Sequence, residues 1–270
     1  MRFLVLTYEY PPLGGGAGEI IKNIAEGLAK NSCEITVVTT WFEGESTDSL
    51  LNNVRIIRLK SRRKHCYRSN PHEMLSWVWY SNKFLESFCL HKKFDLCIAN
   101  FAIPGGIPAS RLFRRIQLPY VIISHGHDIP WMYPRQMFFY HLLTYFYIKK
   151  ICRLSSLNFV QSNNMKINID KFVGAKYCLK NILIPNGVNT DFFIPDETAE
   201  NKIFTIIFGG RLVKQKDPVT FLKAIKLFAE MHKGFKVTIT GDGVMREAME
   251  KFVVKHNLSG NIHFTAWLDK

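Results

Sequence analysis

A doubly wound α/β fold is the class this sequence predicts, and three observations predict it. Short apolar runs rich in Val and Ile alternate with longer amphipathic stretches. Most of these runs are apolar at successive positions, so both faces of each strand need cover. A glycine-rich turn, "GGGAGE" (14–19), joins the first run to the first helical stretch. Strands apolar on both faces mark a parallel sheet clad by helices, because the crossover helices cover both faces.

The strands expected in the first part are "FLVLTY" (3–8), "CEITVVTT" (33–40), "VRIIRL" (54–59), "FDLCIAN" (94–100), "PYVIIS" (119–124), "LNFVQS" (157–162) and "ILIP" (182–185). Helices fall between them. Ala17–Lys30 follows the glycine turn, and Asn70-Pro71 supplies an N-cap and a first-turn proline for a helix running to about His91. Pro104–Arg115, Arg135–Leu154 and Asn163–Ala175 complete the set.

A polar, acidic stretch, "NTDFFIPDETAENK" (189–202), interrupts the alternation and reads as a linker. Behind it come a strand "FTIIFGG" (204–210), a helix 218–232, a strand "FKVTITG" (235–241), a helix 244–257 and a strand "IHFTAW" (262–267). The expected organisation is an N-terminal Rossmann-like domain over 1–189, a linker over 190–203 and the first half of a second Rossmann-like domain over 204–270. Three strands and two helices are half of a doubly wound domain, so the chain reads as ending early. Strand order in such a sheet then leaves "FTIIFGG" at an open edge with its apolar side chains poorly covered.

Composition narrows the function classes. The hydrophobic content of 47% and aromatic content of 13% describe a filled globular core. None of the six cysteines has C-x-x-C spacing, which speaks against a zinc site or a disulfide framework and for a reducing compartment. The chain enters a strand at once, and its longest apolar run, "MFFYHLLTYFYI", is too short to span a bilayer; the expected location is the cytoplasm. The net charge of +14 is unevenly placed: residues 55–68 carry seven Lys/Arg and no acid, and Asp128 is the one acid between Leu96 and Ile169. Such surfaces attract phosphates, nucleic acid or an anionic membrane face, or are simply solvated. No RNA or DNA motif accompanies the charge, so nucleic acid is not an expected partner.

The glycine turn is not a nicotinamide-dinucleotide fingerprint. Read from Gly14, the third glycine position holds Glu19; read from Gly16, it holds Ile21, and the second strand ends without a ribose-binding carboxylate. The run "HGHD" (125–128) directly follows a buried strand. Two histidines on a strand can chelate a metal, but the later strand ends offer Asn163, Asn164 and Asn186 rather than further ligands, and Ile129 and Pro130 break a hydrolase box. No metal is expected. His127 reads as a structural residue capping the next turn more readily than His125 does. In "GGRLVKQKDP" (209–218), Arg211, Lys214 and Lys216 crowd the carboxyl end of a strand, where open α/β sheets bind ligands and where cations suit a diphosphate. A basic loop before a helix is the plain alternative. "TGDGV" (240–244) ends the next strand in another glycine pair, Gly241 and Gly243, where backbone must approach a ligand.

Taken together, "GGGAGE", "HGHD", "IPNGVNTDFF", "GGRLVKQKDP" and "GDG", in this order and spacing, resemble the glycosyltransferase family 4 enzymes of GT-B fold. The resemblance implies two Rossmann-like domains, the first holding a glycan or lipid-linked acceptor and the second a nucleotide-sugar. It implies transfer with retention and without a metal cofactor, in surface polysaccharide or lipopolysaccharide assembly. It sets Arg211 and Lys216 on the donor diphosphate, Gly15 and Gly16 close to donor phosphate or sugar, and Asn186, Gly241 and Gly243 among the donor-binding positions. His125 would face the transferring sugar, and Asp128 would orient His125 or contact the acceptor. It also implies a basic, aromatic surface for peripheral contact with an anionic membrane, centred on the 135–154 helix, whose plain alternative is burial in the core. The family's paired-glutamate motif has no match here. A non-catalytic remnant or binding subunit of a split enzyme is therefore the rival expectation.

Overall fold

The computed structural model describes residues 1–66, 69–195 and 203–266. Tyr67 and Arg68 of the basic run, most of the linker (196–202) and the end of the last expected strand at Trp267 lie outside the described residues. The chain divides into two units, Met1–Val188 and Asn189–Lys270.

The first unit is a sheet in the order β3-β4-β2-β1-β5-β6-β7-β8. Its strands are β1 (Arg2–Leu6), β2 (Glu34–Thr40), β3 (Asp48–Leu51), β4 (Val54–Leu59), β5 (Leu96–Asn100), β6 (Tyr120–Ile123), β7 (Leu157–Val160) and β8 (Asn181–Leu183). All pairings are parallel except β3 with β4. β3 was not anticipated: "DSLL" is short and exposed, and a tight turn at Asn52-Asn53, both with positive φ, folds it back on β4. The central strand β1 is sealed on both faces. Leu4 and Leu6 enter one core with Trp77, Leu112, Ile122 and Ile148, while Phe3 and Val5 enter the other with Ile21, Ala25 and Val37. Alternate side chains of a strand face opposite sides, so a continuous apolar run fills two cores.

The helices are α1 (Gly16–Lys30), α2 (Pro71–His91), α3 (Gly106–Ile116), α4 (Pro134–Leu154) and α5 (Asn163–Val173). At the start of α2, the Asn70 N–H donates to Glu73 Oε2 at 3.0 Å, one arm of a capping box. The helix expected from Pro104 starts later, because Phe101–Gly105 forms a π-type turn first. That turn lies over the strand ends so closely that a Cβ on Gly105 would meet the carbonyl oxygens of Asn100 at 2.4 Å and Leu6 at 2.7 Å.

Two surface expectations need correction. The basic run is not one solvated face: Arg58 and Arg63 are buried, Arg58 pairing with Glu45 at 3.0 Å and Arg63 donating to the carbonyls of His65 and Cys66, while Arg55 pairs with Asp48. Nor is α4 simply buried. His141, Ile148, Ile151 and Cys152 face the core, but Phe138, Phe139, Leu142, Leu143, Phe146 and Tyr147 are exposed along the opposite stripe, Leu143 by 86%. Beside this stripe a groove of about 310 Å³ is lined by Asn82, Ile107, Arg111, Arg114, Arg115 and Tyr147. No helix among the described residues is long and apolar enough to cross a membrane.

The second unit has a parallel sheet in the order β11-β10-β9, from β9 (Phe204–Gly209), β10 (Phe235–Thr240) and β11 (Ile262–Thr265), with α6 (Pro218–Met231) and α7 (Arg246–Lys255) between them. Its core gathers Leu212, Leu222, Ile225, Val237, Ile239, Met249 and Val253. β9 is the edge of the described sheet, as its place in the strand order requires, and Phe204 and Ile207 stand 63% and 70% exposed.

Candidate functional site

In the first unit the strand order reverses between β1 and β5, which places a crevice at their carboxyl ends. Thr7 follows β1, Asn100 ends β5, His125 stands two residues past β6, and Gln161 follows β7. These four residues stand at the carboxyl ends of four adjacent strands. His125 Nε2 is 2.6 Å from Asn100 Oδ1, and Gln161 Nε2 is 2.9 Å from His125 Nδ1. Asn100 Nδ2 donates to Thr7 Oγ1 at 3.0 Å, and Thr7 donates to the Glu9 carbonyl at 2.7 Å. The Phe101 ring lies 4.7 Å from the imidazole. Burial pushes the His125 pKa below its ordinary value, against the opposing influence of Asp128.

Asp128 is 3% exposed and is held by backbone N–H groups: Oδ1 accepts from the His125 N–H at 3.1 Å and Oδ2 from the Ala102 N–H at 2.9 Å. Gly126, at φ +98°, gives the chain the left-handed step that folds Asp128 back under His125. The two histidines do not act as a pair. The His127 ring stacks on Tyr133 at 4.6 Å and its carbonyl accepts from His141 Nε2 at 2.9 Å. β6 ends at Ile123, so neither imidazole is placed by strand geometry. Among the described residues no group of three or more His, Cys, Asp or Glu converges as metal ligands.

The glycine turn meets α1 at its N-terminus, with Gly15 as an N-cap that supplies no side-chain hydrogen bond. The first backbone N–H groups of a helix have no partners within it, and the helix dipole there favours anions. A Cβ at Gly15 or Gly16 would meet nothing within 4 Å, so the space outside them is open. Asn186 is exposed on the segment after β8.

In the second unit, Arg211 and Lys216 are exposed on the loop from β9 to α6. Among the described residues no carboxylate pairs with either. The loop is braced from beneath: Leu212 donates to the Asp242 carbonyl at 2.9 Å, and Met245 donates to the Leu212 carbonyl at 3.0 Å. Gly241 and Gly243 owe their identity to this brace. A Cβ at Gly241 would sit 2.1 Å from the Gly210 oxygen, and one at Gly243 would sit 2.4 Å from the Leu212 oxygen. A neighbouring loop of the same chain thus approaches both glycines closely on the side a Cβ would occupy.

The family model described as Glycosyltransferase Family 4 matches residues 14–192, and that of Glycosyl transferases group 1 matches 189–270. This chain belongs to glycosyltransferase family 4. Among its relatives, an uncharacterized glycosyltransferase of Methanocaldococcus jannaschii is 24% identical over 288 residues, covering 100% of this chain and 70% of that one. A Campylobacter jejuni alpha-1,4-N-acetyl-D-galactosaminyltransferase, named for an acceptor built on diNAcBac-PP-undecaprenol, is 26% identical over 256 residues, covering 93% of this chain and 63% of its own. Among solved structures, sucrose-phosphate synthase from Thermosynechococcus elongatus matches with a TM-score of 0.81 at 14% identity, over 100% of this chain and 71% of that one. WaaG, a glycosyltransferase involved in lipopolysaccharide biosynthesis, matches with a TM-score of 0.67 at 14% identity, over 100% and 70%. The fold is that of GT-B glycosyltransferases, and the family is one of transferases.

Asn100, Gln161 and Thr7 escaped sequence reasoning as site residues. A signal for them exists: each is a polar residue at the carboxyl end of a mostly apolar run, "FDLCIAN", "LNFVQ" and "FLVLT".

Proposed function

We propose that this chain serves retaining, metal-independent transfer of a sugar from a nucleotide-sugar to a glycan or lipid-linked acceptor, in surface polysaccharide or lipopolysaccharide assembly. The observation that carries the reading is the exposed Arg211–Lys216 loop at the end of β9, with two cations that no carboxylate neutralises among the described residues. Breaking a sugar–diphosphate bond builds negative charge on the leaving phosphate, and fixed cations there lower the barrier. Gly15 and Gly16, with open space beside them at the α1 N-terminus, take donor phosphate or sugar. His125 faces the transferring sugar. Asp128, with both oxygens held by backbone N–H groups, acts through His125 as a positioning residue. Asn186 contributes on the donor side, and Gly241 and Gly243 serve it by holding the cationic loop in place. The pathway is supported by the names of the Campylobacter relative and of WaaG.

Nucleoside diphosphate release from a panel of nucleotide-sugars and lipid-linked acceptors tests this. Lys216→Ala is expected to lower turnover by about 10²–10³, roughly 2.7–4 kcal/mol of barrier, with stability unchanged, and chelators should leave the rate intact. Near-normal turnover in Lys216→Ala would overturn the diphosphate assignment. Transfer that appears only with a second polypeptide added favours the binding-subunit alternative.

The acceptor side of the reading includes peripheral docking on an anionic membrane through α4. The support is the exposed stripe from Phe138 to Tyr147 beside Lys150, Arg114 and Arg115, an apolar surface rimmed by cations. Each Lys or Arg near an anionic leaflet adds on the order of 1 kcal/mol. The chain should sediment with phosphatidylglycerol vesicles, less so as salt rises, and Leu143→Glu should weaken the binding. Equal affinity for phosphatidylcholine vesicles, or none for either, counts against it.

A further inference from the structure

The line of side chains across the four strand ends has only one consistent direction. The Glu9 carbonyl can only accept, so the Thr7 hydroxyl spends its proton there, at 2.7 Å. Thr7 Oγ1 is then the acceptor for Asn100 Nδ2 at 3.0 Å, and this turns the Asn100 carbonyl oxygen toward His125. Asn100 Oδ1 also only accepts, so the imidazole proton sits on Nε2, 2.6 Å away. Nδ1 is left as an acceptor, and the Gln161 amide donates to it at 2.9 Å. We infer that Asn100 and Gln161 are positioning residues that hold His125 as the neutral Nε2–H imidazole, anchored through Thr7 to the backbone at the root of the glycine-rich turn.

The central link is enclosed: Thr7 is 0% and Asn100 1% exposed, so water does not compete for that bond, while His125 and Gln161 are half-buried. The backbone of His125 is held independently by Asp128. The charged groups around the ring are few. Asp128 turns its carboxylate to the His125 and Ala102 N–H groups, and Glu9 lies 3.8 Å from the buried Arg63; among the described residues no carboxylate meets either ring nitrogen. An imidazolium would present an Nδ1–H where the Gln161 amide now donates, so the Gln161 amide would have to turn over to accept from it. Burial acts in the same direction, disfavouring the charged ring.

The consequence rests on the reading that His125 faces the transferring sugar. With both ring nitrogens engaged by protein, His125 does not exchange a proton with substrate. It offers an uncharged ring and a fixed backbone, and it adds no repulsion as positive character develops at the anomeric carbon.

The test needs no donor or acceptor, so its outcome is independent of whether the sugar-facing reading holds. The 270-residue chain is labelled with 15N-histidine, and long-range proton–nitrogen spectra are followed through pH, with His125→Asn assigning the signals. His125 is expected as the neutral Nε2–H form, titrating below the ordinary 6.5. Gln161→Glu sets a carboxylate at Nδ1 and should raise the titration midpoint by about one unit or more. Gln161→Met removes the donor without adding charge and should leave the tautomer as it is, because Asn100 still dictates it. An Nδ1–H tautomer in the unaltered chain, or an unmoved midpoint in Gln161→Glu, overturns the proposal. Should Gln161→Glu not fold, the tautomer of the unaltered chain decides alone.

Discussion

The first strands of the two units make an instructive pair. β1 and β9 are both short, apolar and followed by glycine-containing turns, yet β1 lies between β2 and β5 while β9 is the edge of its described sheet. Leu4, Val5 and Leu6 are 0% exposed, whereas Ile207 is 70% exposed. Hydrophobicity makes a strand, but neighbours decide whether the strand is buried. The polar ends of the two strands differ in the same way. Beyond β1 the side chains are tied to one another, and beyond β9 the cations stand open to solvent.

The largest effect should come from breaking the strands themselves. Leu4→Ala removes a side chain from a sealed core and is expected to cost about 2–5 kcal/mol, while Ile207→Ala on the exposed edge should stay within about 0.5 kcal/mol. Denaturant unfolding of the two variants measures both, and equal losses would mean that β9 is covered in solution. Glycines sharpen the comparison at the next level. Gly105→Ala drives a methyl into the carbonyls of Asn100 and Leu6 and should destabilise by about 1–3 kcal/mol. Gly15→Ala meets open space and should leave stability nearly unchanged. Donor affinity is the quantity to follow in that variant.

The smallest effect is on pH dependence. Burial lowers the pKa of His141 and of His125, so between their folded values and 6.5 the unfolded chain binds protons that the folded one refuses. Their contribution to stability is present above 6.5 and lost as pH falls below it. His141→Gln should flatten that acid-side loss in a pH series of melting curves. An unchanged slope would show that His141 titrates normally in the fold.

Much of the architecture was legible locally. "GGGAGE" marks the start of α1, Asn70-Pro71 marks the start of α2, and alternating apolar runs mark a doubly wound sheet, because capping, proline geometry and periodicity act over a few residues. The exposed stripe of α4 could not be read in this way, since its sequence is apolar nearly all round and only packing shows which face the core takes.

Sequence alone determined the family pattern, the parallel α/β class and the presence of cations and glycines at strand ends, each a property of adjacent residues. Tertiary structure alone decided what those residues meet. It brought Thr7, Asn100, His125 and Gln161, drawn from four separate segments, into one hydrogen-bonded line. It gave Gly241 and Gly243 a neighbouring loop to accommodate, and it turned Arg58 and Arg63 of the basic run inward. The physical reason is that hydrogen bonds and steric contacts act over a few ångströms in space. The strand order that creates those distances is set by the packing of the whole sheet.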